Sequence, residues 1–200
     1  MESYKLAVKF FVEDASSLHG SEFVPIFHSW IQQKKVADHL TIDVADYEHV
    51  PNGPGTLLIT LEANFSTDRE DGKLGLLYVR KLPINDAATF PERLRAVLRP
   101  TLEAMHRLEE EPTLGGKIKF RTDEFLFRIY DRLLGPNNPE TFAAVKPELE
   151  ALVSELYGSA PVALEFKPSA QALFEVHVKA LGSPTVGKLL NRLSAVVTSK

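Results

Sequence analysis

Between Asp43 and Gly55 the chain reads DVADYEHVPNGPG, setting two Asp, a Glu, a Tyr and a His beside a Gly-Pro-Gly turn. Nowhere else in the sequence do titratable side chains crowd the end of an apolar, strand-like run so closely. Side chains alternate along a strand, so Asp43 and Tyr47 share one face and Asp46 takes the other. Beyond Tyr47 the chain turns and that parity lapses, which lets a loop bring Asp46 to His49. An Asp–His pair can act as a general base, the carboxylate orienting the imidazole. With His28 from the preceding helix or Glu62 from the next strand, Asp46 and His49 supply three or four ligands for a hard or borderline metal. Asp43, Asp46, Tyr47 and His49 are also candidate ligand-binding residues, with Arg80 as an anion-binding cation at a strand end. A structural account of the same residues stands beside these. Asp and Asn at strand ends hydrogen-bond nearby backbone and build turns, and Asn52 with Gly53-Pro54-Gly55 is turn chemistry.

Composition removes several kinds of chemistry. Cysteine is absent, which excludes disulfides, Cys-ligated zinc, Fe–S clusters and thiol nucleophiles. The formal charge is −4 and there is no long basic run, so a general electrostatic grip on nucleic acid is not expected. Neither Gly53-Pro54-Gly55 nor Gly72-Lys73-Leu74-Gly75 has the spacing of a phosphate loop, and no GxSxG occurs. The acidic run Asp68–Asp71 ends in Gly72, but Arg69 stands where a calcium loop needs a ligand, so it reads as a hairpin tip. No apolar run approaches the ~18 residues needed to cross a bilayer. The first residues, MESYKLAVKFFVED, lack the pattern of a signal peptide. The expected address is the cytoplasm.

The elements that must position these residues follow from hydrophobic spacing. Lys5–Val12, Leu40–Tyr47, Gly55–Phe65 and Leu74–Lys81 read as strands, the last two joined across TDREDG. Phe23, Ile26, Phe27, Trp30 and Ile31 form the apolar stripe of a helix capped at Ser21. Thr89-Phe90-Pro91-Glu92, Asn138-Pro139 and Ser183-Pro184 are helix starts. Arg95–Met105 (RAVLRPTLEAM) matches Ala143–Leu152 (AAVKPELEAL), and Ile118–Arg121 matches Leu164–Lys167 at a similar offset. That pattern predicts a duplicated helix-hairpin unit. The final helix, from Ser183 to about Thr198, carries Val186, Leu189, Leu190, Leu193 and Val197 on one face. Hairpins dominate this order; only the crossover through the Ser21 helix has the length to join parallel strands. The expected fold is α+β: a mainly antiparallel sheet with helices packed on one face. Residues 1–200 form one domain, divisible into sub-units 1–85 and 86–200, the latter an internal duplication.

The segments HSWIQ at His28–Gln32 and DVADYEHVPNGPG at Asp43–Gly55 resemble parts of uncharacterised bacterial proteins, over roughly the first 80 residues. The resemblance implies a bacterial, cytoplasmic setting and carries no activity. Function is then expected from the residues alone: a non-catalytic soluble protein that binds a partner protein or a small ligand, with no resident cofactor. An edge-paired homodimer is a further expectation, since a sheet of hairpins leaves open edges. The alternative is a metal-dependent hydrolase at the 43–55 loop, where the metal would lower the pKa of a bound water.

Overall fold

The computed structural model describes residues 2–70, 72–85 and 88–195. One strand organises the rest. β1 (Leu6–Val12) is buried along its whole length, on both of its faces. Leu6, Val8, Phe10 and Val12 point into the main hydrophobic cluster, while Ala7, Lys9 and Phe11 occupy the opposite face. β1 lies mid-sheet between β5 (Gly75–Arg80) and β6 (Phe120–Ile129). To one side runs a meander of β2 (Thr41–Tyr47), β3 (Gly55–Thr60), β4 (Ala63–Asp68) and β5. To the other, β6 is followed by β8 (Phe174–Ala180) and the edge strand β7 (Val162–Phe166). All seven neighbouring pairs of this eight-stranded sheet are antiparallel. The crossover from β1 ends on the far edge strand β2, so no parallel pair forms.

Four helices supply the apolar cover: α1 (Phe23–Gln32), α2 (Phe90–Glu109), α3 (Pro139–Tyr157) and α4 (Val186–Ala195). Their buried side chains, such as Trp30, Leu102, Leu149 and Leu189, join one cluster with a single face of the sheet. Two of the expected helix starts are present, whereas Ser21 lies inside a 3-10 turn (Gly20–Glu22) that precedes α1, and α4 begins at Val186, with Thr185 rather than Ser183 accepting from the first turn. Glu92 accepts from the Thr89 amide at 2.7 Å, and Asn138 accepts from the Thr141 amide at 2.9 Å. Both interior prolines, Pro100 and Pro147, are accommodated in continuous helices. The stripe residue Val197 lies outside the described residues.

Two further sequence expectations need correction. Gly55–Phe65 is not one strand but β3 and β4, folded back at Leu61-Glu62. That turn has no Gly, Asn or Pro, so its signal is absent from the sequence. The Thr60 hydroxyl closes it instead, donating to the Ala63 carbonyl at 2.8 Å and accepting from the Ala63 amide at 3.0 Å. The second concerns the duplication. The helices correspond, but α2 leads into a single ten-residue strand where a hairpin was expected. Phe120 opens β6, whereas its counterpart Phe166 closes β7.

Both outer edges carry features that oppose further pairing. β2 has a register shift between Thr41 and Asp43 and bears Asp43 and Asp46, and β7 is flanked by Pro161 and Pro168.

The helix-free face has its own buried layer. Lys9 is 0% exposed, and its ammonium reaches Asp68 on β4 at 2.5 Å, across the intervening strand β5. The lysine stem passes over Gly75, where an added Cβ would fall 2.8 Å from Lys9 Cε and 2.5 Å from the Phe10 carbonyl oxygen. A glycine there is thus the condition for the ion pair. Removing one partner of such a pair leaves a buried charge and costs about 3–5 kcal/mol, whereas replacing both with apolar groups is close to neutral. Lys9→Met is therefore expected to lower stability by about 3–5 kcal/mol, and Lys9→Met with Asp68→Leu to recover most of it, as read by urea denaturation. Equal losses in the single and double variants would refute this account.

Candidate functional site

The Asp43–Gly55 residues prove to be a strand end and turn, held by their own backbone. Asp43 accepts from the Val44 amide at 2.8 Å, and Asp46 accepts from the Glu48 amide at 2.9 Å. Tyr47 and His49 stack with ring centroids 6.3 Å apart, both exposed. Glu48 lies over Gly20, where an added Cβ would fall 1.8 Å from its Cδ, and so ties this turn to the segment before α1. His28 is exposed on α1. Glu62, in the β3–β4 turn, accepts from the Leu40 amide at 2.9 Å. Among the described residues, no group of three or more His, Asp or Glu side chains is close enough to hold a metal ion.

Arg80 belongs to a different cluster. Its Nε donates to the Leu82 carbonyl at 2.8 Å and its Nη1 to the Tyr78 hydroxyl at 3.3 Å. His39 Nε2 is 2.9 Å from the same hydroxyl, and His39 stands edge-on to Phe65 and Tyr78. Burial pushes the Tyr78 hydroxyl up to about 12, against the lowering effect of Arg80. Burial raises Tyr157 as well; its hydroxyl donates to the Thr122 carbonyl at 2.8 Å.

The densest polar arrangement is on the helix-free face, across β6, β8 and β7. In the strand register Glu124 faces Lys179, Leu126 faces His177, and Arg128 faces Glu175; His177 also faces Glu165 on β7. The charges answer one another between strands. Arg128 Nε donates to Glu175 at 2.5 Å and its Nη1 to Glu70, in the β4–β5 turn, at 3.3 Å. Lys179 donates to Glu165 at 2.8 Å and holds that carboxyl below the usual carboxylate range. His177 Nε2 is 2.8 Å from Oε2 of Glu124, whose side chain is only 7% exposed. Oε1 of Glu124 lies 2.7 Å from Arg121 Nη1, an ion-pair contact without hydrogen-bond alignment. Arg121 in turn pairs with Asp123 at 2.9 Å and holds the Asp123 carboxyl low.

Five of the side chains named above, Glu70, Arg128, Glu165, Glu175 and His177, line a cavity of about 660 Å³. Two loops form its rim, residues 130–138 after β6 and 167–173 between β7 and β8. They are tied together: Asn137 donates to the Leu173 carbonyl at 2.9 Å, the Ser169 amide to the Asn137 carbonyl at 3.2 Å, and Arg132 Nη2 to the Gln171 carbonyl at 3.0 Å. A second depression of about 450 Å³ shares Arg132, Asn137, Ser169 and Ala172. The sequence did contain a signal for this site. Glu175, His177 and Lys179 alternate with Phe174, Val176 and Val178, which marks one face of a strand as charged. No protein-family model matches the chain, and no curated protein matches it.

Two outcomes follow. Asp46→Ala removes one exposed turn hydrogen bond, so Asp46→Ala with His49→Ala should cost no more than about 1 kcal/mol and leave unfolding cooperative in urea. The tyrosines give the sign of an alkaline effect. Their folded values lie above the unfolded value of about 10. The stabilisation is complete below pH ~10 and is lost as pH rises toward about 12 for Tyr78. The urea midpoint should fall over that interval, less steeply in Tyr78→Phe; an unchanged slope would count against the buried hydroxyl as its source.

Proposed function

We propose that this chain is a non-catalytic binding protein, and that the cavity on the helix-free sheet face takes a small polar ligand. One observation carries the reading: a cavity of about 660 Å³, floored by charged side chains on paired strands. That size falls within the roughly 300–1,000 Å³ usual for small-molecule sites. Most of the lining residues are charged or polar, which favours a polar ligand. Its groups are held in place by cross-strand pairs and tied loops, so binding need not order them first. The Asp43–Gly55 turn serves in this reading as scaffold. The setting we propose is a bacterial cytoplasm, on the strength of the His28–Gln32 and Asp43–Gly55 resemblance and the lack of cysteine. No helix among the described residues is long and apolar enough to cross a membrane.

Ala172 is exposed, sits in the rim and lines both depressions, so Ala172→Trp should obstruct the cavity with little effect on folding. Thermal unfolding would be followed with millimolar small anions, cations, zwitterions and neutral polyols. At least one class is expected to raise the unfolding temperature of the native chain by a few degrees and to leave the Ala172→Trp variant unmoved. No shift with any class, or equal shifts in both proteins, would refute the proposal.

A further inference from the structure

We infer that the ligand of this cavity is a small anion, a carboxylate or a phosphate monoester, gripped between Arg132 and Lys167; this rests on the cavity being the binding site. The argument is a pairing of charges. Each lining carboxylate already contacts a cation, Glu70 and Glu175 sharing Arg128 and Glu165 meeting Lys179, so Arg132 and Lys167 leave the site with one positive charge in excess. Arg132 and Lys167 also line the cavity, yet neither is in an ion pair among the described residues. They come from the two rim loops, Arg132 after β6 and Lys167 after β7, and both line the one cavity.

Arg132 is also pre-positioned. One of its N–H groups is spent on the Gln171 carbonyl, which fixes the guanidinium against the opposite loop. The remaining donors keep the planar fork that matches a carboxylate or a phosphate. The chain as a whole carries −4, so two neighbouring cations outside any ion pair are a local feature rather than a general one.

The test measures binding by calorimetry at low ionic strength, with four probes of similar size: glycerol 3-phosphate, glycerate, glycerol and ethanolamine. The first two are expected to bind, and glycerol and ethanolamine to bind far more weakly. The ratio of glycerol 3-phosphate to glycerate affinity tells a phosphate site from a carboxylate site. Arg132→Gln and Lys167→Gln are surface changes that preserve folding, and each should weaken the preferred anion roughly tenfold or more. Ala172→Trp should abolish its binding. If glycerol or ethanolamine binds best, and Ala172→Trp blocks it while the two glutamine variants do not, the cavity is a binding site but not for anions. Anion binding unchanged in both glutamine variants overturns the inference. If no probe binds and the wider panel also fails, the cavity reading falls with it.

Discussion

A buried ammonium in the middle of a sheet must be answered by a carboxylate, and much of this fold follows from how Lys9 is answered. Lys9 stands on the central strand, on the face without helices. Its partner Asp68 is two strands away, so the residue between them must be a glycine, and the turn after Asp68 must stay near the sheet. From that turn Glu70 reaches Arg128 on the far side of β1. The polar layer therefore continues from β4 across β1 to β6, β8 and β7. Dry interiors penalise each of these charges singly and tolerate them as pairs. The arrangement costs stability relative to an apolar sandwich and in exchange gives the second face a hydrophilic floor.

Division of labour between the two faces of the sheet explains where the cavity lies. One face meets α1 to α4 and is filled by Leu, Val, Phe and Trp side chains. The other has no helical cover and is completed by loops. A cavity there needs no hole in the hydrophobic core. Its floor moves only if strand pairing moves, while its rim, residues 130–138 and 167–173, is held by three cross-loop hydrogen bonds. Rigid floor and tied rim together allow recognition by position rather than by adjustment.

The sequence was legible where a local pattern had a local cause. The Phe23–Trp30 stripe, the Thr89–Glu92 and Asn138 caps and the antiparallel class all have short-range signals, and the structure contains them. The β3–β4 turn was not legible, because Thr60 replaces the customary turn residues. The single strand β6 was not legible either, because likeness to Leu164–Lys167 does not fix pairing, which is decided by neighbours distant in sequence. The polar cluster at Asp43–Gly55 was conspicuous because its residues are adjacent in the chain. Alternation puts Glu175 and His177 on one face of a strand, but Glu70 and Arg128 join them from far along the chain only through strand order, so no spacing rule could gather the whole set.

The alternation along β6 and β8 has a consequence for how such a protein diverges. On β8, Phe174, Val176 and Val178 serve the core while Glu175, His177 and Lys179 serve the polar face. Every second position can then be exchanged without disturbing the hydrophobic packing, provided its cross-strand partner changes with it. Reversing Arg128 and Glu175, for instance, would redraw the cavity floor and leave Phe127 and Val176 in place. The make-up of the cavity floor and foldability are thus written in separate letters of the same strands, so descendants of this chain are free to change the one while retaining an unaltered interior.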